Sequence, residues 1–124
     1  MNRAMVVDDS RAMRMILSKT LAESGFEVFQ AANGKDALDR MERDGDSLQL
    51  VMVDWNMPEL SGLDFVRAVR ARPEFAGVRL LMVTTETELE QMSRALGEGV
   101  DEYLMKPFTP DAVRDKLRLL GMSE

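Results

Sequence analysis

Short apolar runs alternate with longer stretches of helical period along the whole chain, and few architectures accept that rhythm. The runs are Ala4 to Val7, Phe26 to Ala31, Leu48 to Val53, Val78 to Val83 and Tyr103 to Met105. Between them Met13, Ile16, Leu17, Thr20 and Leu21 share one helical face, as do Ala37, Leu38 and Met41, then Phe65, Val66 and Val69, then Met92, Ala95 and Leu96. The last stripe is Val113, Lys116, Leu117 and Leu120, with the lysine stem free to lie along it. The third and fourth runs are apolar throughout, as strands covered on both faces are. Five βα units in succession predict an α/β chain with a doubly wound, five-stranded parallel sheet.

Local signals agree with these boundaries. Thr109-Pro110-Asp111 reads as N-cap, first-turn proline and first-turn acid. Asn33-Gly34 opens the second helix, Ser61-Gly62 the third, and Gly25 closes the first. Gly45-Asp46-Ser47 and Arg72-Pro73-Glu74 read as plain surface connections. With 124 residues and no linker, repeat or low-complexity tract, one domain over 1–124 is expected.

Composition removes several kinds of chemistry. There is no cysteine and no histidine, so disulfides, thiolate catalysis, imidazole metal ligands and a Ser-His-Asp triad are all excluded. A formal charge of -6 argues against nucleic acid or an anionic membrane as partner. No apolar stretch approaches the roughly 18 residues of a membrane helix, and the N-terminus is no secretory signal, so a cytoplasmic location is expected. Most of the eleven methionines are expected to fill core space. Carboxylates, hydroxyls and lysine remain to carry any reaction.

Those groups gather at the strand ends, where ligands bind in this architecture. The first run ends in Asp8-Asp9, the third in Asp54-Trp55-Asn56, the fourth in Thr84-Thr85-Glu86 and the fifth in Lys106-Pro107. Taken singly, each has an ordinary reading: Asp8-Asp9-Ser10 as a helix cap, Asp54 as a loop acid, Thr84 as a β-former, Lys106 as a solvated charge. Jointly they place acids, a hydroxyl and an ammonium on one sheet edge. Clustered carboxylates are unfavourable unless a cation joins them or one is protonated, which points to a hard divalent metal beside a nucleophilic carboxylate.

Asp8-Asp9, Asp54-Trp55-Asn56-Met57-Pro58 with Gly62, Val83-Thr84 and Lys106-Pro107-Phe108 together resemble the receiver domain of two-component response regulators. The similarity runs from about Arg3 to Gly121, and is closest to the stand-alone chemotaxis members. The resemblance implies the flavodoxin-like strand order 2-1-3-4-5, for which chemotaxis receivers are themselves a type example. It implies that Asp54 is the phosphoacceptor, and that Mg²⁺ (or Mn²⁺) is held by Asp8, Asp9, Asp54 and the Asn56 carbonyl. Lys106 would pair with Asp54 and then with the phosphoryl oxygens, and the Lys106–Pro107 peptide would be cis. Thr84 and Tyr103 would form the switch, remodelling a face made of the fourth helix, fifth strand and fifth helix. Asn56, Thr85 and Glu86 would tune phosphoryl lifetime; Thr85 departs from the usual alanine or glycine.

The function implied is a signalling switch without an output domain, rather than an enzyme acting on other molecules. It would be phosphorylated by a histidine kinase, act in chemotaxis as a monomer, and meet a flagellar motor switch protein or a phosphatase. A phosphate sink and a phosphorelay intermediate are alternatives within the same family, as is a degenerate receiver kept for protein contacts. An aspartyl phosphohydrolase of the haloacid-dehalogenase kind needs a second aspartate two residues after the nucleophile, where this chain has Asn56. An FMN carrier would need a phosphate loop where Asp8-Asp9-Ser10-Arg11 would repel one, and no G-x-G-x-x-G follows the first run for a dinucleotide.

Overall fold

The computed structural model describes residues 2–44, 48–85, 93 and 96–122. Strands β1 (Asn2–Val7), β2 (Phe26–Ala31), β3 (Leu50–Asp54), β4 (Arg79–Thr85) and β5 (Glu102–Lys106) form one parallel sheet. Their order is β2-β1-β3-β4-β5, as expected. Helices α1 (Arg11–Glu23), α2 (Gly34–Asp44), α3 (Gly62–Arg70) and a C-terminal helix (Pro110–Leu119) cover it. No helix among the described residues is long and apolar enough to cross a membrane.

Alternation along the strands feeds two cores. Met5, Val7, Val51, Val53, Leu80 and Met82 point to one face, where they meet Ala37 and Met41 of α2 and Phe65, Val66 and Val69 of α3. Ala4, Val6, Leu50, Met52, Leu81, Val83 and Leu104 point to the other, against Leu17 and Leu21 of α1 and Val113 and Leu117 of the C-terminal helix. Every residue of β3 is buried, which is why that run carries no polar alternation. Each fully buried Leu, Val, Phe or Met contributes about 1.5–3 kcal/mol.

Helix starts follow the expected chemistry. Hydroxyl oxygens of Ser10, Ser61 and Thr109 accept the N–H groups of Met13, Asp64 and Ala112, and Asn33 Oδ1 accepts that of Asp36. Gly25 has φ 93°, a left-handed conformation suited to ending α1.

Four local expectations need correction or fall outside what is described. Ile16, placed on the buried face of α1, is 51% exposed, while Leu17, Thr20 and Leu21 turn inward. Arg72-Pro73-Glu74 is more than a surface connection: Pro73–Phe75 forms a 3₁₀ turn that buries Phe75 in the first core. Met92 and Ala95 of the fourth stripe lie outside the described residues, as do Gly45-Asp46-Ser47, and Leu96 is exposed. The Lys116 ammonium, at the end of the stem expected along the last stripe, reaches β5, 3.1 Å from Glu102 Oε1.

The amino-terminal rim of the sheet is held by one guanidinium. Arg70, at the end of α3, donates to the carbonyls of Gly99, Phe75 and Val78 at 2.9, 3.1 and 2.7 Å, and to Asp101 Oδ2 at 2.9 Å. Asp101 Oδ2 also accepts the Leu80 N–H at 2.8 Å. One side chain thus joins α3, the 3₁₀ turn and the starts of β4 and β5. The fixed fork of donors on arginine suits a cluster of carbonyls that a lysine could not span.

Candidate functional site

Strand order reverses between β1 and β3, and a doubly wound sheet opens its binding crevice at such a point. The register Val7↔Val53 puts the residues that follow side by side at the carboxyl edge. Asp8 and Asp54 are therefore neighbours because their strands are, and Asp9 joins them. Carboxylate oxygens of all three lie within 4.8 Å of one another; Asp8 and Asp54 are buried and Asp9 is exposed.

Asp54 is held from two sides. Lys106 Nζ, at the end of β5, donates to its Oδ1 at 3.1 Å, and the Asn56 N–H reaches the same oxygen at 3.4 Å. Oδ2 takes neither of these bonds. The backbone around Asp54 is fixed too, with the Trp55 N–H on the Val83 carbonyl and the Gly62 N–H on the Trp55 carbonyl. Gly62 is required by space: a Cβ there would lie 2.4 Å from the Asp54 carbonyl oxygen and 2.9 Å from Trp55 Cα. The Lys106–Pro107 peptide is cis.

Burial dominates the electrostatics. It pushes the Asp54 carboxyl above its ordinary range, although the hydrogen bond and charge of Lys106 and the Asn56 N–H pull the other way. Asp8 is raised chiefly by burial too, with the Asp54 charge adding to the shift and the Ser10 N–H and Lys106 opposing it. Among the described residues Asp8 Oδ2 is buried without a hydrogen-bond partner. An orphaned carboxylate oxygen beside two more acids fits a divalent cation, and an oxygen-only donor set fits Mg²⁺.

The remaining expected residues are placed as follows. Thr84 is buried at the end of β4, and its hydroxyl donates to the Thr85 carbonyl at 3.4 Å. Thr85 is half-buried, Asn56 is exposed, and Glu86 lies outside the described residues. Tyr103 stands away from the acids, against Lys116. Arg14 belongs to the site surround although its sequence position did not suggest it. Its Nη1 donates to the Asp8 carbonyl at 2.7 Å and its Nε to Gln30 Oε1 at 3.2 Å, bracing the turn that carries Asp8 and Asp9. The ordinary reading of Asp8-Asp9-Ser10 holds in part, because the cap of α1 is Ser10.

A crevice of this kind, with three acids facing an ammonium across the switch point, defines the chain's class: residues 4–118 match the response regulator receiver domain, and the protein belongs to that family. Among its relatives it is 40% identical to the chemotaxis protein CheY1 of Helicobacter pylori over 119 residues, 95% of each chain. It is also 40% identical to the chemotaxis protein CheY homolog of Campylobacter jejuni over 116 residues, 93% of this chain and 88% of the other. Among solved structures, Vibrio cholerae chemotaxis protein CheY4 superimposes with TM-score 0.88 at 34% identity, covering 96% of this chain and 98% of that one.

Proposed function

We propose that this protein is a stand-alone response regulator that accepts a phosphoryl group on Asp54 from a phosphohistidine of a histidine kinase, in chemotaxis signalling. The observation that carries the reading is Asp54 itself: a buried carboxylate with Lys106 on one oxygen and two further acids within 4.8 Å. The 40% identity to CheY1 across 95% of both chains supports the response-regulator and chemotaxis parts of the reading.

In this reading Asp54 Oδ2 attacks phosphorus, a P–O bond forms to it, and the bond to the donor's nitrogen or oxygen breaks. Lys106 leaves its pairing with Oδ1 to neutralise charge growing on the transferring oxygens, and main-chain N–H groups such as that of Asn56 donate to them. Asp8, Asp9, Asp54 and the Asn56 carbonyl would hold Mg²⁺, for which Mn²⁺ can substitute, and the ion would supply Lewis-acid charge stabilisation. Asn56, Thr85 and Glu86 are the positions that tune phosphoryl lifetime in this reading, and a β-branched Thr85, half-buried at the end of β4, slows the entry of water.

Coupling to a partner runs across two strands. Thr84 and Tyr103 lie on the same face of the sheet, since Met82, two residues before Thr84, is the direct neighbour of Tyr103. Drawing the Thr84 hydroxyl toward a phosphoryl group opens room on that face, and Tyr103 moves into it. The surface beside β5 and the C-terminal helix then changes shape for a motor switch protein or a phosphatase in the cytoplasm.

Acetyl phosphate tests the chemistry directly. Intact-mass analysis should record the gain of one phosphoryl group that needs Mg²⁺ and vanishes in Asp54→Asn. Uptake that persists in Asp54→Asn, or that ignores chelation of the metal, would refute the assignment.

A further inference from the structure

Tyr103 carries a cation on its ring. Lys116 Nζ lies 4.3 Å from the ring centroid, and the same ammonium is 3.1 Å from Glu102 Oε1. That oxygen also accepts the Tyr103 backbone N–H at 3.0 Å. The Lys116 and Glu102 side chains are 22% and 21% exposed, so the pair is partly withdrawn from water. The geometry is unusual for a residue of this helix. Val113 and Leu117 pack on the face of the sheet opposite Tyr103, which sits against the α2–α3 core. Only because β5 is the last strand can Lys116 reach round the edge to the far side.

We infer that Lys116, pinned by Glu102, is a latch that holds the Tyr103 ring in its resting position and sets how many molecules switch before phosphorylation. The inference rests on the reading of Tyr103 as the moving residue. A ring presents its negative face to the ammonium, and turning the ring inward forfeits that attraction. The ion pair to Glu102 keeps the cation from following the ring or turning out to water. Removing the cation therefore favours the switched state, by about two- to fivefold for one partly exposed cation–π contact.

The chain has one tyrosine, so 3-fluorotyrosine labelling gives a single ¹⁹F resonance, reporting this ring alone. Full-length protein is titrated with beryllofluoride at fixed Mg²⁺, with Trp55 fluorescence following occupancy independently. In Lys116→Met the free resonance should move toward the beryllofluoride-bound position, and half-conversion should need about two- to fivefold less beryllofluoride. Lys116→Arg, which keeps a cation able to stack, should restore the wild-type midpoint. Glu102→Gln, which keeps an acceptor for the Tyr103 N–H but removes the ion pair, should act in the same direction by less. A wild-type resonance that moves while Lys116→Met shows the wild-type midpoint overturns the latch alone. A wild-type resonance that ignores beryllofluoride while Trp55 responds overturns the switch and the latch together.

Discussion

Asp8→Asn separates what the acidic crevice costs the fold from what it does for a metal. Two unit charges about 5 Å apart repel by about 3 kcal/mol at an effective dielectric near 20, and Asp8 and Asp54 stand within that range. The orphaned buried Oδ2 adds a desolvation cost of about 1–3 kcal/mol. Attraction of Asp8 to Lys106 offsets part of both. Asparagine keeps the acceptor for the Ser10 N–H and offers a donor to the neighbouring acids. The metal-free variant should therefore be more stable than wild type by about 2 kcal/mol, or roughly 6–10 °C in Tm. The sign of the pH dependence follows from the raised carboxyls of Asp8 and Asp54, whose ordinary value is 3.8. Their protonated forms are favoured by folding, so that stability is fully present below 3.8 and lost as pH rises through the raised values. The advantage of Asp8→Asn over wild type should accordingly be large at neutral pH and shrink on acidification. Mg²⁺ at about 100 times its Kd should raise wild-type stability by about 2.7 kcal/mol and the variant far less. Calorimetry with and without the ion measures all of this. A metal-free variant that melts at or below wild type, or that gains as much from Mg²⁺, would refute the reasoning.

Mg²⁺ affinity, read from Trp55 fluorescence, should fall as pH drops, starting above the ordinary carboxylate range because protonation of Asp8 and Asp54 competes with the ion; an affinity flat down to the ordinary range contradicts the assigned burial. Gly62→Ala places a Cβ against the Asp54 carbonyl. The variant should lose about 2–3 kcal/mol in denaturant unfolding and phosphorylate more slowly as Asp54 shifts, whereas wild-type rate and stability would mean that the loop yields freely. Arg70→Met removes four hydrogen bonds from the opposite rim, for a loss of about 3 kcal/mol given their non-additivity. Mg²⁺ binding at 25 °C should be unchanged, and a coupled loss of affinity would show that the two rims communicate.

The acids were legible because they end apolar runs. A residue that follows a strand sits at the sheet edge whatever its side chain does, so Asp8, Asp9, Asp54 and Lys106 could be brought together from order alone. Strand adjacency was not legible in the periodicity and came from the family likeness. Ile16 was misplaced because 3.6-residue spacing marks a stripe wider than the contact, and the sheet chose Leu17 and Leu21. Arg14, Arg70 and Lys116 stayed hidden for another reason. Arg70 donates chiefly to main-chain carbonyls, Arg14 to one carbonyl and the Gln30 side chain, and Lys116 to a ring across the sheet edge, partners with no sequence signature that only the assembled chain supplies. Phe75 was lost in an apparent loop because a single buried ring has no period.

Anchorage by Arg70 and the acidic crevice occupy opposite rims of the same sheet. Selection can therefore harden or soften this scaffold at its base, suiting it to a warmer or colder habitat, without disturbing the reactive end.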